Sequence, residues 1–128
     1  MEKDKKIYEA TILGTVVSKS NSYRVGMKKG AGKYIPIMTK SYKLREYEMM
    51  FRKCLPSVFH KVVIEKRFRL EMDVYFTRNA NDLDNTPKVV LDCLQHVGFI
   101  TNDNLCFEIV LRKHLAPDAK INFKISEL

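Results

Sequence analysis

Residues 67–77 alternate without a break. Phe68, Leu70, Met72, Val74 and Phe76 fall on one side, and Arg67, Arg69, Glu71, Asp73 and Tyr75 on the other. A period of two is the signature of a strand with one dry and one wet face. A strand of this kind needs neighbours in a sheet, and something apolar must cover its dry face. That constraint leads to a two-layer domain. The remaining patterns supply the parts. Residues 7–17 are β-branched and partly alternating, and read as a strand. Phe107, Ile109 and Leu111 mark another strand, and Ile121, Phe123 and Ile125 a last one. From Ser41 to Leu55 the residues Leu44, Tyr47, Phe51, Cys54 and Leu55 recur at helical spacing, and Pro56 ends the run. Pro87 to Val97 reads as a second helix with the stripe Val90, Leu91, Leu94 and Val97, Asn85 or Thr86 as cap, and Gly98 just past its end. Between the first strand and the first helix, residues 18–40 interleave Ser, Asn and Gly with Lys and Arg, and are expected as a long basic loop or flexible hairpin. The expected fold class is α+β, with a small antiparallel or mixed sheet and two helices on one face. At 128 residues the chain is expected to be one domain, 1–128.

Charge divides the chain. Residues 1–69 carry 17 Lys and Arg against 6 Asp and Glu, whereas residues 70–128 carry 6 against 9. A basic half suggests a polyanion partner, because neutralising phosphates releases condensed counterions. A solubilising surface is the plainer account of the same charge. No run approaches the ~18 apolar residues of a membrane span, and the first residues carry no apolar leader-like stretch. Cys54, Cys93 and Cys106 are odd in number, lack metal-ligand spacing and sit among apolar neighbours. Buried thiols in a reducing cytoplasm are the expectation.

The acidic half needs its own explanation. In Asn81-Asp82-Leu83-Asp84-Asn85 the two aspartates stand two apart, on one side of an extended backbone. Two carboxylates there repel each other unless they share a hard divalent cation such as Mg²⁺. Asp-Leu-Asp-Asn before a helix is equally a turn-and-cap signature. Three features favour chemistry. Lys88 occupies the first helical turn, where the helix dipole disfavours a cation. Asp92 follows within i,i+4 reach of it. Asn102-Asp103 then returns a third carboxylate after the helix. His60, His96 and His114 are scattered and form no rival constellation.

Together Asp82-Leu-Asp84-Asn85, Lys88, Leu91-Asp92-Cys-Leu94, Gly98 and Asn102-Asp103 resemble the RusA family of Holliday junction resolvases. The match is dense over 82–104 and looser elsewhere, where Ser20-Asn21-Ser22-Tyr23 resembles the family's Ser/Asn-rich N-terminal stretch. One departure stands out, since the first member of the family's acidic pair is Asn102 here. The resemblance implies a small homodimeric, Mg²⁺-dependent (or Mn²⁺-dependent) endonuclease of four-way DNA junctions in recombination and repair, in a bacterial or phage-infected cytoplasm. It implies Asp82, Asp84 and Asp103 as metal ligands, Lys88 as the catalytic lysine, and Asn85, Asp92 and Asn102 as supports around them. Lys19, Arg24, Lys28, Lys29, Lys33 and Lys40 would then meet phosphates, and Tyr23 and Tyr34 could stack on exposed bases or simply pack. Two alternatives stay open: a non-enzymatic DNA-binding accessory protein, and a metal nuclease that prefers flaps or forks.

Overall fold

The computed structural model describes residues 6–16, 42–79 and 83–128, together with the backbone of 23–30 and 33–40. Its main sheet has four strands: β1 (Ile7–Leu13), β4 (Phe68–Phe76), β5 (Cys106–Leu115) and β6 (Lys120–Glu127), in the order β1-β6-β4-β5. β6 pairs antiparallel with both β1 and β4, and β4 runs parallel to β5. The sheet is therefore mixed. The parallel pair exists because helix α2 (Thr86–His96) carries the chain back along the sheet between β4 and β5, the crossover that parallel strands require. Helix α1 (Tyr42–Cys54) packs near β1. The segment expected as a loop or flexible hairpin is a regular antiparallel hairpin, β2 (Tyr23–Gly30) with β3 (Lys33–Lys40), paired from Tyr23–Lys40 to Gly30–Lys33. Its Gly and Lys content obscured the β-formers Val25, Tyr34, Ile35, Ile37 and Met38. Pro36 is tolerated because a two-stranded ribbon has an open edge for each strand.

The alternation in β4 appears as expected: Phe68, Leu70, Met72, Val74 and Phe76 are buried and their neighbours half-buried. In β6 Ile121, Phe123 and Ile125 line the same dry face, and in β1 Tyr8, Ala10 and Ile12 do. Both helices cover this face. α1 contributes Leu44, Tyr47 and Phe51, one face of two turns. It ends before Pro56, whose ring pushes the preceding residue out of helical geometry. Arg52 and Lys53 in its last turn complement the negative end of the helix dipole.

An aromatic cluster forms the centre. Phe51 stacks on Phe123 with centroids 5.7 Å apart, and Phe99 contacts Phe59 at 4.4 Å and Tyr8 at 5.2 Å. Such pairs contribute about 0.5–1.5 kcal/mol each beyond their burial. Phe99 stands just after α2, so the cluster also anchors the chain that leads to Asp103. No helix among the described residues is long and apolar enough to cross a membrane.

Candidate active site

The site is organised by α2. It follows β4 in a β–α–β unit, and ligands of such units gather at the carboxyl ends of the strands. Leu83, Asp84 and Asn85 form the turn into the helix. Asn85 occupies the cap position, but its backbone is already helical (φ −86°, ψ −10°) and its side chain makes no cap hydrogen bond. A capping side chain works from extended backbone, so the side-chain cap expected at Asn85 is absent. Thr86, the other candidate, is buried, and its hydroxyl donates to the Leu83 carbonyl at 2.7 Å. The turn is thus closed from inside the helix. The Asn85 side chain stays half-buried without a capping task.

The other end of α2 is closed by a complete Schellman arrangement. The Gly98 N–H donates to Gln95 O at 3.1 Å and the Phe99 N–H to Leu94 O at 3.0 Å. Gly98 has φ +85°, a conformation L side chains rarely adopt. Leu94 and Phe99 join the same core cluster, the hydrophobic contact that usually accompanies this motif. The following residues are pinned to the chain after α1: Ile64 N–H donates to Phe99 O at 2.6 Å, and Thr101 N–H to Ile64 O at 3.2 Å. A short 3-10 turn, Asp103–Leu105, then opens β5.

Lys88, Asp92 and Gln95 share one face of α2, at i, i+4 and i+7. Lys88 and Gln95 are exposed and Asp92 is half-buried. The Gln95 side-chain carbonyl accepts from the Asp103 backbone N–H at 3.1 Å. A polar strip therefore runs from Asp84 along α2 to Asp103. Gln95 was not among the expected site residues. Its signal was its spacing from Lys88 and Asp92, and only its contact with Asp103 gives that spacing meaning.

Asn102 precedes the turn with extended backbone (φ −159°, ψ 142°), and its Oδ1 accepts from Asn104 N–H at 2.9 Å. This Asx-type cap needs only an acceptor oxygen. An asparagine keeps the turn that an aspartate would form, and removes a charge next to Asp103.

Asp84 and Asp103 are exposed, and their carboxylates have no ion-pair partner among the described residues. Asp82 and Lys19 lie outside the described residues, as does Ser20-Asn21-Ser22. Among the described residues no three His, Cys, Asp or Glu side chains are grouped to hold a metal ion. Arg24, Lys28 and Lys29 occupy β2, and Lys33 and Lys40 occupy β3, with Lys29 paired to Tyr34 and Tyr23 to Lys40. A groove between α1 and α2, a cavity of about 290 Å³, is lined by Arg45 and Arg52 together with Glu48 and His96. The three cysteines are free thiols, Cys93 buried and Cys54 and Cys106 half-buried. Burial pushes the Cys106 thiol above its ordinary pKa.

The family model described as Endodeoxyribonuclease RusA matches residues 14–126, nearly the whole chain. The chain belongs to the RusA family. Its activity is therefore that of a DNA endonuclease family associated with Holliday junctions. The match runs through the hairpin, both helices and β4 to β6, and begins just after β1. No curated protein matches the chain.

Proposed function

We propose that this RusA-family chain is a metal-dependent endonuclease that resolves four-way DNA junctions as a homodimer, in the cytoplasm of a bacterial or phage-infected cell. The observation that carries the reading is the polar strip on α2, which starts at Asp84 and Lys88 and ends where Gln95 holds Asp103. The donor set suits the ion. Carboxylate oxygens are hard ligands of the kind Mg²⁺ and Mn²⁺ take, and those of Asp84 and Asp103 face solvent. Asp82, Asp84 and Asp103 are the carboxylates proposed to hold it, although within one chain Asp84 and Asp103 stand at opposite ends of α2, an eleven-residue helix about 16 Å long, and do not meet on one ion there. A bound divalent cation supplies charge relief at a phosphate and a more acidic water. Lys88 offers a compact ammonium at the mouth of the same site, where it offsets negative charge gathering on the phosphate oxygens. Gln95 orients the Asp103 backbone, and Asn102 shapes the turn that presents it. The hairpin supplies Arg24, Lys28, Lys29, Lys33 and Lys40 for phosphate contacts, with Lys19 beside it in sequence. A junction is nearly two-fold symmetric, so two paired cuts suit a two-fold dimer.

The test is cleavage of end-labelled DNA with Mg²⁺ or Mn²⁺, on a panel of four-way junction, flap, fork and linear duplex. The four-way junction should be cut fastest, and only with metal. Asp82→Asn, Asp84→Asn and Asp103→Asn should bind the junction as the wild type does and cut it at least ~100-fold more slowly, the scale on which a removed transition-state interaction acts. Lys88→Ala should also fail, and Lys88→Arg should recover only part of the rate, because a planar guanidinium replaces a compact ammonium. Faster cutting of flaps or forks would move the substrate assignment. Tight junction binding with no metal-dependent cutting of any branched DNA would leave a binding protein.

A further inference from the structure

β5 breaks its own pattern at Lys113. In the parallel register Ile109 stands beside Leu70, Leu111 beside Met72, Lys113 beside Val74 and Leu115 beside Phe76. All four of those β4 residues are buried, so these positions of β5 belong to the dry face of the sheet. Three of them are aliphatic, and the fourth is a lysine. An ammonium placed there has to reach water or a polar partner, and its stem can cover apolar surface on the way. Lys113 does so over Phe76, whose ring centroid lies 5.5 Å from its Nζ, within cation–π range. The ammonium then donates to the Asn79 carbonyl at 2.7 Å.

Asn79 stands at the start of the connection that carries Asp82 and Asp84. This connection runs from the end of β4 at Phe76 to the start of α2 at Thr86. At its strand end the Ala116 N–H donates to Phe76 O at 2.9 Å, and Lys113 reaches three residues further, to Asn79. At its helix end the Leu83 carbonyl accepts from the Thr86 N–H at 3.1 Å and from the Thr86 hydroxyl at 2.7 Å. Three residues separate Asn79 from Leu83 in the chain, and Asp82 is one of them; Asp84 follows Leu83 directly. The bonds at Leu83 are local to the helical turn. The bond at Asn79 comes from a residue 34 positions away, so it fixes the connection relative to the sheet. Ordering two carboxylates around one cation costs conformational freedom, and a short connection already held at both ends lowers that cost.

We infer that Lys113 is a positioning residue for the metal site: by holding the Asn79 carbonyl it sets the connection from which Asp82 and Asp84 reach a divalent cation. The inference rests on the metal dependence of the proposed function, and adds to it a residue beyond the 82–104 motif.

The test uses the full-length chain and Mn²⁺, with binding read in the absence of DNA from the loss of the free-ion EPR signal. Lys113→Met keeps an unbranched stem over Phe76 and removes the donors. It should weaken Mn²⁺ binding about tenfold, the lower end of what outer supports of metal ligands contribute. The Mg²⁺ concentration that gives half-maximal junction cleavage should rise by the same factor, and the rate at saturating Mg²⁺ should fall by less. Lys113→Arg keeps the charge and the donors and should recover most of the binding. Lys113 is exposed, so the melting midpoint of the metal-free protein should stay within a degree or so of wild type. Wild-type Mn²⁺ affinity in Lys113→Met overturns the inference, even where junction affinity or cleavage falls, because Lys113 would then be a DNA contact. An equal loss of Mn²⁺ binding in Lys113→Met and Lys113→Arg overturns it too. A wild-type chain that binds no Mn²⁺ and cuts without metal removes the proposed metal dependence and the inference together. A wild-type chain that needs metal, beside a Lys113→Met variant that binds it equally well, removes the role of Lys113 alone.

Discussion

At the scale of single residues, the division of labour on α2 is sharp. Lys88, Asp92 and Gln95 face outward, while Val89, Val90, Cys93 and Leu94 are buried. Gln95 is the residue whose role is most accessible to experiment, because it touches Asp103 only through the backbone N–H. Gln95→Ala should slow junction cleavage about fivefold, the equivalent of one ordinary hydrogen bond of ~1 kcal/mol. Junction affinity should stay unchanged. Single-turnover rates beside binding isotherms check this, and Gln95→Glu, which retains an acceptor, should recover part of the rate. A parallel loss of affinity would make Gln95 a DNA contact instead. Gly98 gives a stability measurement of similar clarity. A methyl group there meets open space, so its cost comes from φ alone. Gly98→Ala should lower stability by ~1–2 kcal/mol, the cost of left-handed backbone for an L residue. A shift of the urea midpoint at constant slope reports it.

At the scale of elements, β4 and β5 are joined by more than their ladder. On the open face Asp73 lies between Arg112 (3.5 Å) and His114 (2.8 Å), and Tyr75 stacks on the His114 ring at 4.6 Å. The hydrogen bond from His114, with Arg112 nearby, holds the Asp73 carboxyl below its ordinary pKa. Its partners favour the charged form, so the stabilisation is present above the unfolded aspartate pKa of about 3.9. It is lost as pH falls through the lower folded value. The pairs are partly solvated, which limits their worth to about 0–1 kcal/mol. Asp73→Asn should therefore lower stability by no more than that near pH 6. The gap to wild type should close below pH 4 in denaturant titrations. A gap that widens in acid would show that Asp73 is not held in its charged form. The hairpin makes the opposite point. Its strands were hidden in the sequence because five lysines and arginines and two glycines interrupt the β-branched pattern. Pairing along the ribbon, decided by backbone register, overrides that composition.

At the scale of the whole molecule, the proposed function assigns the two halves of the chain different tasks: the lysines and arginines of the hairpin would meet phosphates, and the carboxylates beside α2 would repel DNA until a cation offset them. Replacing Lys28, Lys29 and Lys33 with alanine should flatten the slope of log affinity against log salt by roughly 2–3 units, at about 0.9 per phosphate contact. Cleavage at low salt should persist, because the proposed chemistry lies elsewhere. An unchanged slope would transfer the binding face to Arg45 and Arg52, which line the groove beside His96.

The sequence by itself determined the half-buried β4, the apolar faces of both helices, the glycine that ends α2, and a family pattern specific enough to name. Each is a local matter. Alternation, helical spacing and a left-handed glycine depend on near neighbours in the chain. Tertiary structure decided the rest. The parallel pairing of β4 with β5 depends on where α2 returns the chain, a contact between residues some forty apart. The mixed character of the sheet follows from it. The bond between Gln95 and Asp103 likewise depends on Gly98 reversing the chain and on Ile64 pinning the return. An Asx cap at Asn102, in place of an acid, becomes intelligible only once the turn it closes is known. Which edge of a sheet is left open is a property of strand order. No single strand carries that information, since a strand's pattern records its two faces and leaves its two edges unspecified.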